Sequence, residues 1–167
     1  MNKRSTVTVR QASAEGASSS AGSLVVQADT ITIETRERVE LVDLTEQLAA
    51  FAAGTGVREG VLSVWSLHTT CAVFINEAQH ALHVDIKRVL EQIVSRETDW
   101  MHNDPEKSDC DRCNADAHLR AMLLGHSLTL QVSGGEVVLG QWQRVLAAEL
   151  DGPRSRTLRL QILGVGA

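Results

Sequence analysis

The spacing of apolar and polar residues from position 24 onward follows strand and helix periods in turn. In the stretch 24–35, Ile31 and Ile33 fall on one face of an extended chain, and Thr30 and Thr32 fall on the other. A two-residue period of β-branched residues predicts a strand. Similar apolar stretches predict further strands at residues 61–67, 71–75, 128–132, 137–139, 142–150 and 156–163.

A long helical period occurs over residues 78–95. Leu82, Ile86, Val89 and Ile93 recur there at intervals of three and four residues, which predicts an amphipathic helix. Two shorter helices are predicted from capping and terminating residues. One covers residues 45–53, with Asp43 or Thr45 as its N-terminal cap and Gly54 at its end. The other covers residues 114–124, with Asn114 as its cap and Gly125 at its end.

The order of these elements predicts a single α+β domain over residues 24–167. A run of strands at the end favours a mixed or antiparallel β-sheet packed with helices over a doubly wound parallel sheet. Residues 96–113 have few apolar positions, and a loop of that length is typically functional or disordered. Residues 1–23 are rich in Ser, Ala and Gly, so we expect a flexible N-terminal extension there, with an organelle transit peptide as the alternative.

The composition excludes several classes of protein. Apolar residues make up 43% of the chain, which is typical of an ordinary globular protein. The net charge is −5 and aromatic residues are only 3%, so the basic surface and stacking rings typical of nucleic-acid binding are lacking. The longest apolar stretch, 48–54, is far shorter than the ~20 residues that span a bilayer. Three cysteines without an export signal predict a cytoplasmic protein with no disulfide framework.

Three of the six histidines lie where side chains can face a shared cleft. His68 follows a predicted strand among hydroxyl residues, His102 lies in the long loop, and His118 lies near the start of a predicted helix. Three imidazoles can hold a divalent metal, with zinc the first choice, and leave one position open. The alternative for His68 is a structural histidine at a strand end, with its hydrogen bonds made to neighbouring protein groups. The other three, His80, His83 and His126, are expected at the surface or at helix ends.

Cysteine and charged residues give weaker signals. Cys110 and Cys113 form a C-x-x-C pair, and the chain has no second pair of this kind. Three interpretations remain open: a zinc site completed by His102 and His118, a redox role, or loop cysteines without a function. Four carboxylates could act as a general base or orient a ligand. They are Glu77, which follows Asn76 at the end of a predicted strand, and Asp85, Glu149 and Asp151. The forked guanidinium groups of Arg154 and Arg156 could clamp a phosphate, although a charged turn is often only solvated.

Seven short motifs in a fixed order make the chain resemble the YjbQ-like, or UPF0047, family over about residues 24–165. They are Ser66-Leu67-His68-Thr69-Thr70, Ile75-Asn76-Glu77, Trp100-Met101-His102-Asn103-Asp104, Asn114-Ala115-Asp116-Ala117-His118, Leu124-Gly125-His126-Ser127-Leu128, Leu139-Gly140-Gln141-Trp142-Gln143 and Glu149-Leu150-Asp151-Gly152-Pro153-Arg154.

The resemblance implies an α+β fold assembled as a homotrimer, and an activity as a secondary thiamine-phosphate synthase. That reaction joins a pyrimidine methyl diphosphate to a thiazole phosphate and releases pyrophosphate. A non-catalytic trimer that binds a metal or a small anion is the alternative. The implied catalytic residues are His68, His118, Glu149 and Arg154, and the metal ligands are His68, His102 and His118. The implied ligand-binding residues are Thr69, Thr70, Asn76, Glu77, Asn114 and Asp151.

The chain departs from the family pattern at four places. Cys71-Ala72 replaces the Ala-Gly that is usual after the His-Thr-Thr motif, Gln141 replaces a Thr, and Trp100 replaces a common Tyr. Arg112-Cys113-Asn114 stands where Glu-Gly-Asn is frequent. Cys110 and Cys113 are therefore additions of this chain, and we do not expect them to carry the family function.

Overall fold

Antiparallel pairing of the β-branched segments builds two sheets in the computed structural model, which describes residues 20–166. A five-stranded sheet has the order β1-β8-β3-β5-β6, and a three-stranded sheet has the order β2-β7-β4. The strands are β1 Ser23–Glu34, β2 Glu40–Asp43, β3 Val57–Ser66, β4 Cys71–Asn76, β5 Ser127–Ser133, β6 Glu136–Val137, β7 Arg144–Glu149 and β8 Ser155–Gly166. The helices are α1 Thr45–Gly54, α2 His80–Ile93 and α3 Ala115–Leu124, with a 3₁₀ turn at Met101–Asn103.

The three-stranded sheet is the middle layer of the fold. One of its faces contributes Val73 and Val145 to a core shared with the five-stranded sheet and α1. Its other face contributes Ala72 and Ala148 to a second core against α2 and α3. Strand β7 is therefore covered on both faces, which explains why Val145–Glu149 reads as a continuous buried run and not as an alternation.

The expected α+β class with antiparallel pairing is confirmed, and each predicted helix and strand is present. The strand expected at 142–150 begins only at Arg144, and Trp142 lies in the preceding turn with 66% of its surface exposed. Strand β3 begins at Val57, four residues before the predicted start at 61. Of the extension expected over 1–23, residues 1–19 lie outside the described residues, and Ser23 already belongs to β1.

The capping of α3 differs from the prediction. The Asn114 side chain makes no cap hydrogen bond, because its amide donates to Asp151 Oδ2 at 2.8 Å. The backbone N–H of Ala115 instead donates to Asn103 Oδ1 at 3.0 Å, so the long loop supplies the cap. Among residues 20–166, no helix has the length and apolar character needed to cross a membrane.

Candidate functional site

A buried ion pair lies beneath the site. Glu149, at the end of β7, and Arg156, near the start of β8, are 0% and 2% exposed, and the guanidinium contacts both carboxylate oxygens. Arg156 Nη2 also donates to Thr70 Oγ1 at 2.8 Å. Glu149 accepts further hydrogen bonds from the Asp151 N–H at 2.7 Å and from Thr35 Oγ1 at 3.2 Å. Both carboxylate oxygens of Glu149 and the Nε and Nη2 of Arg156 thus have protein partners, which a buried pair needs in order to be stable.

The turn between β7 and β8 is held against this pair. Gly152 donates its N–H to the Arg38 carbonyl at 2.9 Å, and the Gly152–Pro153 peptide bond is cis. A Cβ at Gly152 would lie 2.4 Å from the Glu37 carbonyl oxygen and 2.7 Å from Glu149 Cγ. Only glycine allows the turn to approach so closely, and this approach fixes the Asp151 carboxylate above Glu149.

The Asp151 carboxylate interacts with arginine side chains from three segments of the chain. Its carboxylate, 4% exposed, accepts from Arg38 at 3.0 Å, from Arg154 at 2.8 Å and from the Asn114 amide at 2.8 Å. Arg112 Nε lies 3.9 Å away. One carboxylate is thereby shared among three guanidinium groups, which also line a polar cleft of about 680 Å³. Three arginines against the carboxylates of Asp111 and Asp151 leave this lining with one positive charge in excess, and its forked donors are suited to a phosphate group.

Arg38 ties this cleft to α3. Its second guanidinium nitrogen donates to Asp116 Oδ1 at 3.1 Å, while the first donates to Asp151. Asp116 is fully buried, and its other oxygen lies 3.5 Å from Arg120 without forming a hydrogen bond. Arg38 therefore bridges two buried carboxylates and positions the helix that carries His118.

A second, mostly apolar pocket of about 500 Å³ lies beside α3. Trp100, Met101 and Leu119 line it together with His102 and His118. The two imidazole rings meet edge to face, with their centroids 5.0 Å apart. The flat indole, the apolar walls and two ring nitrogens fit a planar heteroaromatic ligand.

His118 links the two pockets electrostatically. Burial lowers its pKa, the neighbouring His102 lowers it further, and the carboxylates of Asp151 and Asp116 raise it. Asp151 lies in the arginine cleft, and His118 lines the apolar pocket. Asn114 connects the two pockets, because its amide holds Asp151 of the arginine cleft at 2.8 Å and the next residue, Ala115, lines the apolar pocket. His126, expected as a surface or helix-end residue, is partly exposed and also lowers the pKa of His118.

His68 has a separate environment. Its Nε2 accepts a hydrogen bond from the Thr157 N–H at 2.8 Å, which places the proton of the neutral ring on Nδ1. Burial lowers its pKa, and the charges of Arg156 and Arg154 add to that effect against the opposing charge of Glu149. The neutral ring is therefore an Nδ1–H donor near the buried ion pair and has no free lone pair for a metal.

The expected metal site is not assembled by the described part of one chain. Residues 20–166 contain no group of three or more His, Cys, Asp or Glu side chains with a geometry that could hold a metal ion. His102 and His118 meet, whereas the lone pair of His68 is engaged by the backbone. Neither the three-histidine set nor a Cys₂His₂ set with Cys110 and Cys113 therefore fits a metal within this chain, and convergence in an assembly stays a prediction.

The remaining predicted ligand-binding residues fall into two groups. Thr70 belongs to the buried network, and the Thr69 carbonyl lies 3.5 Å from His126 Nε2. Asn76 and Glu77 are exposed at the far end of β4, whose first residue pairs with Glu149. Five residues along a strand cover about 16 Å. One chain therefore does not bring Asn76 and Glu77 to the arginine cleft.

Arg156 and Glu149 require a correction. The sequence offers Arg156 as a phosphate clamp, but its guanidinium is buried and bonded to Glu149 and Thr70. The family resemblance implies a catalytic role for Glu149, but its carboxylate is fully buried and accepts the Asp151 N–H at 2.7 Å. The cleft arginines that the sequence did not indicate are Arg38 and Arg112. Arg38 lies 113 residues from Asp151, and no local motif could have related the two.

Comparison with known proteins agrees with this architecture. Residues 29–165 match the model of the family described as UPF0047 protein YjbQ-like. A UPF0047 protein of Methanothermobacter thermautotrophicus is 42% identical over 132 residues, which is 79% of this chain and 88% of that protein. The UPF0047 protein YugU of Bacillus subtilis is 31% identical over 136 residues, 81% of this chain and 98% of YugU.

Solved structures show the same fold. A crystal structure titled as a YbjQ-like protein of unknown function from Sulfolobus solfataricus has a TM-score of 0.79 and 34% identity, covering 85% of this chain and 99% of that one. A YjbQ/UPF0047 protein from Clostridium acetobutylicum gives a TM-score of 0.73 and 27% identity, covering 80% and 98%. With its motifs, fold and relatives in agreement, the chain belongs to the YjbQ-like UPF0047 family.

Proposed function

We propose that the protein is a transferase of the thiamine-phosphate synthase type, which joins a pyrimidine methyl diphosphate to a thiazole phosphate. The observation that supports the proposal is a pair of unlike cavities whose walls are joined through Asn114 and Ala115. One is apolar and lined by an indole and two imidazoles, and the other is polar and lined by three arginines. A substrate with a flat ring at one end and a diphosphate at the other matches this pair, with its ring in the apolar cavity and its diphosphate in the arginine cleft.

The proposed chemistry needs little from the protein beyond positioning and charge. The bond between the pyrimidine methylene carbon and the diphosphate oxygen breaks, and pyrophosphate leaves with the electron pair. The thiazole nitrogen supplies its lone pair to that carbon and becomes the positively charged ring nitrogen of the product. Negative charge therefore grows on the leaving pyrophosphate, where Arg38, Arg112 and Arg154 are placed to stabilise it.

The histidines have distinct parts in this proposal. His118 lines the ring pocket, and burial lowers its pKa, so the neutral imidazole exchanges hydrogen bonds with the nitrogens of a bound heterocycle. His68 contributes an Nδ1–H donor fixed by the Thr157 N–H. Glu149 holds the Asp151 backbone, and Asp151 in turn orients two of the arginines.

A purified-protein assay with both thiamine precursors tests the proposal. We expect thiamine phosphate and pyrophosphate to form in equal amounts. We expect His118→Ala and Arg154→Ala to reduce kcat/KM by about 10²-fold or more, as loss of a positioned donor at growing charge does. The matched controls are His80→Ala and Arg88→Ala, which remove the same side-chain types from exposed positions of α2.

Two outcomes overturn the assignment. Turnover that is unchanged in both site variants would show that the reaction occurs elsewhere. Saturable binding of pyrophosphate without any turnover of the precursor pair would favour the alternative, a non-catalytic protein that binds a small anion.

We further propose that the protein works as a homotrimer. The outer face of the five-stranded sheet exposes an apolar strip across three paired strands, which includes Val26, Val61 and Leu163. Trp65, on the same face of β3, is 54% exposed. Contiguous exposed apolar surface of this kind marks a contact between proteins, and a second copy of the chain is its proposed occupant.

A further inference from the structure

We propose that Cys110 and Cys113 form a reversible disulfide that weakens anion binding in the arginine cleft. The inference rests on the anion site of the proposed function, and it adds a modification site to it. Both cysteines belong to the loop segment in which this chain departs from its family pattern.

The first observation is the distance that the turn imposes. Asp111 and Arg112 form a turn, so Cys110 and Cys113 occupy its first and last positions. The Cα atoms at the two ends of a tight turn lie less than about 7 Å apart. Disulfides span Cα separations from about 4.4 to 6.8 Å. The backbone therefore brings the two thiols within bonding range when their side chains rotate toward each other.

The second observation is that the two central residues of this turn belong to the cleft. Asp111 and Arg112 both line it, and Arg112 Nε lies 3.9 Å from Asp151. A disulfide between the ends of the turn closes a ring around these two residues. Because the two Sγ atoms contact different partners in the reduced chain, drawing both into one bond shifts the residues between them, and Arg112 then leaves the position from which it meets an anion.

The third observation is what each thiol contacts in the reduced state. Cys110 Sγ contacts Asn114 Oδ1 at 3.7 Å, and the Asn114 amide holds Asp151. Cys113 Sγ contacts the Asn103 carbonyl at 3.9 Å, and the Asn103 side chain caps α3 through Ala115. The thiols therefore have separate partners, and both contacts must break before a disulfide forms. Each break loosens a residue that fixes the cleft or the helix carrying His118.

The chemistry is thiol–disulfide exchange with a small disulfide such as oxidised glutathione. Cys113 is exposed, and its thiolate attacks one glutathione sulfur, which releases one glutathione thiolate. The half-buried Cys110 then attacks the Cys113 sulfur and releases the second. Two protons and two electrons pass from the cysteines to two glutathione molecules. Cys71 takes no part, since it is fully buried and burial raises the pKa of its thiol.

Isothermal titration calorimetry with inorganic pyrophosphate tests the proposal. The affinity of the full chain for pyrophosphate is measured first on reduced protein and then on protein treated with oxidised glutathione. We expect the thiol count under denaturing conditions to fall from three to one and pyrophosphate affinity to fall about tenfold, as loss of one charge-assisted hydrogen bond gives. Reduction restores both values. The matched control is the Cys110→Ser/Cys113→Ser double variant, which should bind pyrophosphate equally well under both conditions.

Two results overturn the switch. One is a thiol count that stays at three after treatment, and the other is a disulfide that leaves pyrophosphate affinity unchanged. If the reduced protein does not bind pyrophosphate, the anion site of the proposed function fails by itself. The switch is then judged by hydrogen exchange at the Ala115 amide, whose acceptor is Asn103 Oδ1. Exchange at that amide that is equal in the reduced and oxidised chains would refute it.

Discussion

Replacing Glu149 by Gln removes one negative charge from the buried network and leaves its shape almost unchanged. Arg156, 2% exposed, then keeps its positive charge without the carboxylate that its Nε and Nη2 contact. The new amide nitrogen also points donors toward a group that has only donors. Breaking a buried ion pair by removing one partner costs about 3–5 kcal/mol of unfolding free energy.

That loss is large enough to measure without difficulty. For a domain of this size, each kcal/mol shifts Tm by about 2–4 °C, so Glu149→Gln should lower Tm by roughly 6–20 °C. Urea unfolding at pH 7, followed by tryptophan fluorescence, gives the free energy directly. All variants are compared at one protein concentration, because subunit association would add to the measured stability.

A double variant and a surface control make the test specific. Glu149→Gln combined with Arg156→Met removes both charges, so its loss should be smaller than the sum of the two single losses by about 2 kcal/mol. Asp85→Asn removes a carboxylate that is 64% exposed and 3.8 Å from Arg88, and it should leave Tm unchanged within error. A Glu149→Gln variant as stable as Asp85→Asn would refute the reasoning, because it would mean that Arg156 is solvated when unpaired.

Three further predictions follow from the same geometry. Arg38→Met should lower the unfolding free energy by about 2–3 kcal/mol in urea titrations, because it leaves two buried carboxylates with one charged donor fewer. The free energy of unfolding should be greatest above about pH 6.5 and fall as pH is lowered. The folded chain lowers the pKa values of His68, His83 and His118, so the unfolded chain binds protons at a higher pH than the folded chain does. Urea titrations at several pH values should show a flatter dependence for His68→Gln, and a steeper one would contradict the prediction. Light scattering should give the mass of a trimer, and Trp65→Glu should dissociate it by placing a charge on the exposed sheet face; a monomeric parent chain would refute the assembly.

The long elements were predictable because their signals are local. A two-residue period over 24–35 and a helical period over 78–95 report which face each segment buries, and β1 and α2 occupy those positions. Gly125 ends α3 as expected, since its φ of 98° belongs to a region that glycine adopts without strain. The start of β7 was misplaced because the indole of Trp142 has strand propensity, whereas its neighbours form a turn.

For the site, the sequence by itself determined which residue types were available and near which element ends they lie. It indicated His102, His118, Asp151 and Arg154, and the structure places the first two in one pocket and the last two in another. The resemblance to the family contributed to that selection, because the spacing between these residues is not itself diagnostic.

Only the tertiary structure decided which charges are buried and which face solvent. Glu149 and Arg156 carry the same charged groups as the exposed Glu77 and Arg88, yet two sheets and the turn between β7 and β8 enclose them as a pair. Arg38 reaches Asp116 and Asp151 across 78 and 113 residues. Local periodicity records the face that a segment buries, but contact between distant segments depends on how all the layers pack. A guanidinium becomes a ligand-binding or a structural group according to the partners that this packing supplies.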